Sequence, residues 1–289
     1  MVYNIKSKET KRTLRKLEDE KERIIITIYG HNREKIHFLS SIFTTSFIPE
    51  KVSVNGNETK IDPNNPQVEI DSKAKETIIE VVWSNKITSF YNMFDFWDCK
   101  AIGELDLSHL DTSKANTMEN MFCGCSGLKS LNLSNFVYSM NNIFQNCRLL
   151  ESLDLSSFNT SNVEKMNSMF NGCYGLKSLV LSSFDTRKVT DMGSMFKECS
   201  SLKSLESIIN IFNTSKVTAM NSMFYGCIAL ISLNLSHFNT SNVKAMYSMF
   251  SGCPKLTSLD LSHFDTSKVT GMSYMFKDCS ALIHQKLLK

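Results

Sequence analysis

Hydrophobic and polar positions repeat along the chain with a modal period of 26 residues from residue 90 onward. Each period reads Met-Phe-x-x-Cys-x-x-Leu-x-x-Leu-x-Leu-Ser-x-Phe-Asx-Thr-Ser-x-Val-x-x-Met, where x is variable. Periods of roughly 20 to 50 residues are typical of stacked-repeat proteins, in which one repeat cannot bury its own apolar side chains and its neighbours complete the core. The Met-Phe pairs begin at residues 93, 121, 169, 195, 223, 249 and 275, and Ile143-Phe144 replaces one pair.

Two hydrophobic periodicities alternate inside each repeat and predict a strand followed by a short helix. Leu179 and Leu181 point inward on either side of Val180, as on a strand. The Asx-Thr-Ser that follows such a strand is a turn and helix-start signal, because these side chains accept the amide hydrogens left free at the start of a helix. The next apolar positions fall on about one third of a helical surface. In one repeat they are Val163, Met166, Met169, Phe170 and Cys173.

The run from Leu259 to Met272, joined to Met-Phe-x-x-Cys, resembles the leucine-rich repeat and, more narrowly, the BspA-like surface-protein family. Together with the two periodicities, this resemblance predicts an α/β solenoid. The expected form is a right-handed leucine-rich-repeat coil with a parallel sheet on one face and short helices opposite. Members of that family look like extracellular or cell-surface binding proteins of bacteria and protists. None of the shared motif positions is catalytic, so the resemblance implies binding rather than catalysis.

Three segments are predicted: a charged N-terminal arm or helix (1–23), a small β-rich capping domain (24–86) and a leucine-rich-repeat part of about eight coils (87–289). The arm is basic and fits either an exposed helix face or a docking arm for an acidic partner. Runs of β-branched residues and the hairpin signal Asn55-Gly56 indicate strands in the second segment. We expect this segment to cover the apolar end of the first coil. A separate domain on a linker is the alternative.

Composition limits the classes of function. A net charge of +3 without a basic cluster in the repeats argues against nucleic acid as the main partner. No stretch approaches the roughly 18 consecutive apolar residues of a transmembrane helix. The amino terminus also lacks the apolar core of a secretory signal. The compartment therefore stays open, because the resemblance implies the cell surface or the extracellular space, whereas the missing signal favours the cytoplasm.

Cysteine usage follows the repeat, because eight of the nine cysteines occupy one column. That column shares the apolar stripe, so we expect buried free thiols that act as small hydrophobic side chains. Disulfides between neighbouring coils and a metal site are the alternatives. Cys123 lies outside the column and is expected to face away from the core, which makes it the most reactive thiol by position. The column comprises Cys99, Cys125, Cys147, Cys173, Cys199, Cys227, Cys253 and Cys279.

Two other columns invite metal chemistry, but each has a simpler explanation. His237 and His263 occupy equivalent positions in neighbouring coils and fit either a shared metal or solvent-exposed edge residues. The stacked Asx residues could form a calcium site, which needs about six to eight oxygen ligands. Alternatively, each Asx side chain caps the turn in its own repeat. We expect the turn-capping role for the Asx residues, and we expect no metal and no cofactor. The Asx column comprises Asp111, Asn159, Asp185, Asn213, Asn239 and Asp265.

The chain carries no enzyme signature, since a glycine-rich phosphate loop, Gly-x-Ser-x-Gly and His-Glu-x-x-His are all absent. The surface expected to act is the outward side of the strands, which is slightly acidic and rich in hydroxyls and suits a protein or glycan partner. Plain solvated strand positions are the alternative. No core contact is expected for the acidic side chains, so their substitution is expected to cost little stability. The predicted partner-binding residues are Asp106, Asn132, Asp154, Val180, Glu206, Asn234, Asp260, Ser152, Ser178 and Ser258.

The function that follows is a non-enzymatic recognition or adhesion-type repeat module that binds a protein or glycan partner. The alternative is an intracellular structural scaffold or cytoskeleton-associated component of a larger assembly. The missing signal, the free-thiol column and the charged arm favour this alternative. The sequence predicts no nucleic-acid partner and no transmembrane segment, and it leaves the oligomeric state open.

Overall fold

A computed structural model describes residues 21–29, 35–71, 73–94, 102–112, 115, 117–128, 130–132, 139–156, 158–282 and 284–286, so most of the predicted N-terminal arm lies outside it. Within these residues the chain forms twelve strands and two short helices. In chain order the elements are β1 (Glu22–Tyr29), β2 (Lys35–His37), α1 (Ser41–Ser46), β3 (Lys51–Val54), β4 (Asn57–Thr59), β5 (Gln67–Glu69), β6 (Glu76–Trp83), β7 (Ile102–Asp106), β8 (Ser130–Asn132), β9 (Ser152–Asp154), β10 (Ser178–Val180), α2 (Glu206–Ile209), β11 (Ser258–Asp260) and β12 (His284–Lys286).

Most of the strand pairing is antiparallel and lies in one six-stranded sheet of order β4-β3-β6-β1-β7-β8. Five of the eight strand pairs in the described residues are antiparallel. β1 lies between β6 and β7, and its alternating sequence buries Ile24, Ile26 and Ile28 on one face. Since β7 belongs to the first repeat, the sheet of the N-terminal segment continues into the repeats.

The N-terminal segment contains the predicted hairpin and contacts the first repeat directly. Asn55 and Gly56 have φ angles of 50° and 82° and join β3 to β4 in antiparallel register, so the hairpin is confirmed. The Ser40 N–H donates to the Met93 carbonyl of the first repeat at 3.0 Å, and Phe38 is fully buried. The division into a capping domain (24–86) and a repeat part (87–289) stays a prediction.

The prediction of short helices in the repeats is wrong. The two helices in the described residues are α1 and α2, and neither contains a Met-Phe pair. The segment expected to be helical is a run of turns, in which Met169 N–H donates to the Met166 carbonyl three residues back instead of four. Ser168 and Gly172 have φ angles of 55° and 75°, and such left-handed residues cannot continue an α-helix. The chain is therefore not an α/β solenoid with short helices.

Two left-handed residues recur in the repeats, one before the Met-Phe pair and one before the cysteine. Glycine, asparagine and aspartate tolerate positive φ and fill most of the positions before the cysteine. The first set is Asn92, Asn120, Asn142, Ser168, Ser194, Ser222, Ser248 and Tyr274, and the second is Gly124, Asn146, Gly172, Glu198, Gly226, Gly252 and Asp278.

The prediction of one continuous parallel sheet along the repeats is also wrong for the described residues. The parallel pairs are β7–β8, β9–β10 and β11–β12, in separate sheets, and isolated bridges such as Ser232–Ser258 join other repeats. One interruption follows from the sequence. The repeat after Leu202 is two residues longer than the modal repeat, and it forms α2 where the preceding repeat has β10 and the following repeat has only an isolated bridge at Ser232.

Along the turns that carry the Met-Phe pairs, consecutive repeats are joined by a row of backbone hydrogen bonds that run forward along the chain, whereas other bonds between repeats run back, such as Thr190 N–H to Glu164 O at 2.8 Å. Four alternate N–H groups of one repeat donate to four carbonyls of the next, and we call these bonds the donor rows. The rows recur at each junction between residues 140 and 277. At one junction the bonds are Met166 N–H to Asp191 O (3.0 Å), Ser168 N–H to Gly193 O (2.9 Å), Phe170 N–H to Met195 O (2.9 Å) and Gly172 N–H to Lys197 O (2.8 Å).

The core lies inside these turns and is built from columns of identical side chains. The phenylalanines of the Met-Phe pairs stack on one another with ring centroids 5.4 to 6.0 Å apart. Each stack needs a ring from two repeats, so this stabilisation exists only between repeats. In a central repeat the predicted apolar stripe is fully buried, which confirms its place in the core: Val163, Met166, Met169, Phe170 and Cys173.

A column of buried threonines bridges the repeats at the Asx-Thr-Ser turns. The Thr186 hydroxyl accepts the Asn213 N–H at 2.7 Å and donates to the Asn213 carbonyl at 3.1 Å, so one side chain pairs two backbone groups of the next repeat. The Thr112 hydroxyl is equally buried but has no hydrogen-bond partner in the described part of the chain. Thr160, Thr214 and Thr240 repeat the arrangement of Thr186.

Replacing Thr186 with Val preserves its shape and removes both hydrogen bonds. We expect the free energy of unfolding to fall by about 1–3 kcal/mol, because backbone groups of the next repeat lose their partner. Thr112→Val is the matched control and should change the free energy by less than about 0.5 kcal/mol, or stabilise, since that buried hydroxyl has no partner among the described residues to lose. Chemical denaturation followed by circular dichroism measures both variants. Equal losses would contradict the bridging role.

Candidate partner-binding face

Eight of the ten predicted partner-binding residues are exposed at equivalent positions of the repeats. Asp154 pairs with Val180 in parallel register, and both are exposed, whereas Leu153 and Leu179, which precede them on the two strands, are buried. Asp106 is half-buried in β7, and the side chain of Asn132 lies outside the described part of the chain. We call the exposed members the strand face: Ser152, Asp154, Ser178, Val180, Glu206, Asn234, Ser258 and Asp260.

The acidic residues of the strand face also hold the turns that follow the strands. Asp154 Oδ1 accepts the Ser156 N–H at 2.8 Å, and Asp260 Oδ1 accepts the Ser262 N–H at 2.9 Å. Sequence reasoning treated these side chains as structurally unneeded and missed the turns, although Asp-x-Ser is a known turn signal. Lysine at these positions would remove the acceptor as well as the charge. Asp106 and Asn234 accept the N–H groups of Ser108 and Ser236 in the same way, each at 3.0 Å.

These turn hydrogen bonds keep the carboxylates charged. The side-chain and backbone bonds from Ser156 hold the pKa of Asp154 below its ordinary value. At Asp106, partial burial acts to raise the pKa, but the bonds from Ser108, together with the nearby His109 and Arg23, outweigh it and the pKa is lowered. Both side chains are therefore anionic at neutral pH, and the face carries a negative charge without a buried ionisable group.

A shallow groove of about 400 Å³ lies on the strand face. α2 supplies Glu206 to this groove, where the Ser232 hydroxyl donates to the Glu206 carboxylate at 3.1 Å. Sequence reasoning placed Glu206 on a strand, so the helix was missed, while its exposure agrees with the expectation. The groove is lined by Glu206, Ser232, Leu233, Asn234, Ser258, Leu259 and Asp260.

A second polar surface is the edge formed by the Asx-Thr-Ser turns. Asp185 Oδ1 accepts the Arg187 N–H at 3.0 Å, and the Arg187 guanidinium bonds the same carboxylate at 2.7 Å. Arg187 thereby holds the pKa of Asp185 at about 2. The turn-capping role predicted for the Asx column is confirmed here, although the turns do not start helices. The same turn bond is present at Asn159, Asn213, Asn239 and Asp265.

The cysteine column lies in the core, as expected for most of its members. Cys173 Sγ donates to the Phe144 carbonyl of the preceding repeat at 3.1 Å, and burial raises the pKa of Cys173 to about 12. Two members differ: Cys125 takes part in a disulfide, so a free thiol is wrong there, and Cys279 is half-buried. Cys99 lies outside the described residues. Buried free thiols are confirmed for Cys147, Cys173, Cys199, Cys227 and Cys253.

We expect a thiol reagent to label Cys123 and Cys279 first in the native protein, because these thiols are half-buried. Cys173 and Cys199 should react only after denaturation, since burial raises the pKa of both and suppresses the reactive thiolate. Mass spectrometry of the labelled peptides, with and without denaturant, measures the order. Rapid native labelling of Cys173 would rule out the buried column.

In the described part of the chain, no group of three or more His, Cys, Asp or Glu side chains is placed to hold a metal ion. His237 and His263 are exposed. Of the helices found there, none has the length and apolar character needed to cross a membrane.

Comparison with known families identifies the repeat. The family described as "Mycoplasma protein of unknown function, DUF285" matches residues 72–136, 126–210 and 201–288. These three tandem matches extend over more than half of the chain and include all the residues of the strand face. Comparison with the curated proteins and with the solved structures found no match.

Proposed function

We propose that this chain, which belongs to the DUF285 family of tandem-repeat proteins, is a non-enzymatic recognition module whose strand face binds a protein partner. The resemblance of its repeat to that of the BspA-like surface proteins supports an adhesion-type role, and we propose that relationship as well. The family description itself assigns no function.

The observation that carries the proposal is the in-register acidic and hydroxyl column of the strand face. Asp154 and Asp260 are exposed on equivalent strand positions, and a backbone hydrogen bond fixes each carboxylate. Fixed side chains lose little conformational entropy when a partner binds, which favours recognition over plain solvation.

The charge of the strand face indicates the chemistry of the partner. Glu206 and Asp260 line the same groove, and Ser232 and Ser258 add hydroxyls between them. Complementary charge increases association rates and disfavours partners of the same sign. We therefore propose a protein that presents Lys or Arg side chains along the strand face, both to this groove and to Asp154.

The test is the double variant Asp154→Asn with Asp260→Asn. Asparagine retains Oδ1 as the acceptor of the turn hydrogen bond, as Asn234 does at the equivalent position, so the free energy of unfolding should stay within about 0.5 kcal/mol for each change. Proteins captured from cell extract by the immobilised full chain are quantified by mass spectrometry. Recovery of the partner should fall about tenfold, the effect of losing two charge contacts of roughly 0.7 kcal/mol each.

The matched control is Asp185→Asn with Asp265→Asn. It makes the same change in net charge and keeps the same kind of turn, but it lies on the Asx-Thr-Ser edge. The control should capture the same proteins as the wild type. If the two double variants lose the partner equally, net charge rather than the strand face is responsible. If neither loses it, the proposal is wrong.

A further inference from the structure

A cationic groove crosses three consecutive repeats on the Asx-Thr-Ser edge, and we call it the edge groove. It has a volume of about 550 Å³ and shares no lining residue with the groove of the strand face. Three cations and one carboxylate line it, together with asparagine and serine side chains, so its net charge is positive and no apolar side chain of the described residues contributes to it. The lining residues are Ser161, Asn162, Asp185, Arg187, Lys188, Asn213, Ser215 and Lys216.

Two lysines on this edge reach back one repeat to an asparagine. The Lys188 ammonium donates to Asn162 Oδ1 at 2.6 Å, and the Lys268 ammonium donates to Asn242 Oδ1 at 2.8 Å. Lys216 occupies the equivalent position, but the residue one repeat earlier is Lys188, another cation. Lys216 is exposed and has no hydrogen-bond or ion-pair partner in the described part of the chain. The edge groove therefore lies where two lysines follow one another without an acceptor between them.

Backbone hydrogen bonds bring these repeats together beside the two lysines. Thr190 N–H donates to the Glu164 carbonyl and Thr218 N–H donates to the Thr190 carbonyl, both at 2.8 Å, and each donor lies two residues beyond a lysine of the groove. Adjacent parallel backbones joined in this way are about 4.8 Å apart. At such a separation Lys188 and Lys216 repel each other, and an anion that bonds both ammonium groups removes the repulsion.

The acceptor oxygens of the edge groove are occupied, whereas donors remain free. Both oxygens of Asp185 accept hydrogen bonds from the Arg187 guanidinium, at 3.0 Å for Oδ1 and 2.7 Å for Oδ2. Asn213 Oδ1 accepts the Ser215 N–H at 3.1 Å and the Ser215 hydroxyl at 2.7 Å. The Lys216 ammonium and the Asn213 Nδ2 group have no acceptor among the described residues. Such a lining fits an anion that is rich in acceptor oxygens.

The same chemistry continues along the edge on both sides of the groove. The residue before the valine of each Asx-Thr-Ser turn is a lysine or an asparagine in every repeat of the fully described stretch 158–282, so no carboxylate interrupts this column there. The column comprises Asn162, Lys188, Lys216, Asn242 and Lys268. An extended polyanion that lies along the repeats would therefore meet one donor side chain per repeat.

The polar lining selects one class of polyanion. Single-stranded nucleic acid binds through aromatic side chains that stack on its bases as well as through charge, and a membrane surface needs apolar side chains that enter the lipid. The lining residues of the edge groove supply neither. The sulfates of a polysaccharide accept hydrogen bonds from ammonium groups, and its hydroxyls pair with serine and asparagine. We propose that the edge groove binds a sulfated polysaccharide, with one sulfate between Lys188 and Lys216. This site does not rest on the strand-face proposal.

The experiment titrates the full-length chain with a sulfated octasaccharide of heparin, by isothermal calorimetry at about 0.15 M salt, where charges beyond about 8 Å are screened. The double variant Lys188→Gln with Lys216→Gln should weaken binding at least about tenfold. The matched control, Lys203→Gln with Lys255→Gln, makes the same change in net charge away from this edge and should bind like the wild type. All four lysines are exposed, so circular dichroism should show unchanged folding for both variants.

A change of the opposite sign tests the same location. Asp185→Asn should strengthen octasaccharide binding about threefold, because the Arg187 guanidinium is then free to bond a sulfate. The strand-face double variant also removes negative charge, but it should bind the octasaccharide like the wild type, so the two proposals fail independently.

Five results would overturn the proposal. The first is an equal loss of binding in the two lysine double variants, which would make net charge responsible. The second is equal binding of the octasaccharide after its sulfates are removed. The third is competition by inorganic sulfate at the octasaccharide's own concentration, which would indicate a site for a single ion only. The others are equally tight binding of single-stranded DNA or of a poly-Glu peptide of the same charge, which would identify a different class of partner.

Discussion

The left-handed residues of each repeat are the constraint on which the structure depends. At Ser168 and Gly172 the backbone turns so that alternate N–H groups leave the repeat instead of closing a helix. The next repeat must then lie close enough to accept them, which sets the spacing at which the phenylalanine rings stack. The buried thiols and the threonine hydroxyls use the same spacing, because both bond to backbone groups of a neighbouring repeat. Stability therefore comes from contacts between repeats.

Burial could be predicted from the sequence, whereas backbone conformation was only partly predictable. In a helix, residues spaced three or four apart, such as Val163, Met166 and Cys173, lie on the same side and face the core. Consecutive turns of three residues place the same residues in the core. The pattern of apolar residues cannot distinguish the two. The signal that distinguishes turns from a helix is the residue before the cysteine. It is glycine, asparagine or aspartate in most repeats, and these residues favour left-handed turns over helix. In the N-terminal segment, Asn55-Gly56 has one standard meaning and was predicted correctly.

The candidate sites show the same limit. Alternation along the strands predicted that Asp154 and Asp260 are exposed, but the turn bonds they accept depend on the backbone two residues later. Glu206 was expected to be exposed, yet the extra residues of its repeat form a helix for which periodicity gave no signal. The donor rows could not be predicted at all, because side-chain patterns do not encode the direction of backbone hydrogen bonds such as Phe170 N–H to Met195 O.

The most direct test of the central claim is a measurement of scalar coupling across individual backbone hydrogen bonds in the ¹⁵N,¹³C-labelled protein. If repeats are joined by the donor rows, the amide nitrogen of Phe170 couples to the carbonyl carbon of Met195, 25 residues away. Equivalent couplings should then recur for the phenylalanine of each central repeat. A helix would instead couple the Phe170 nitrogen to the carbonyl carbon of Met166, four residues back. That result would contradict the account.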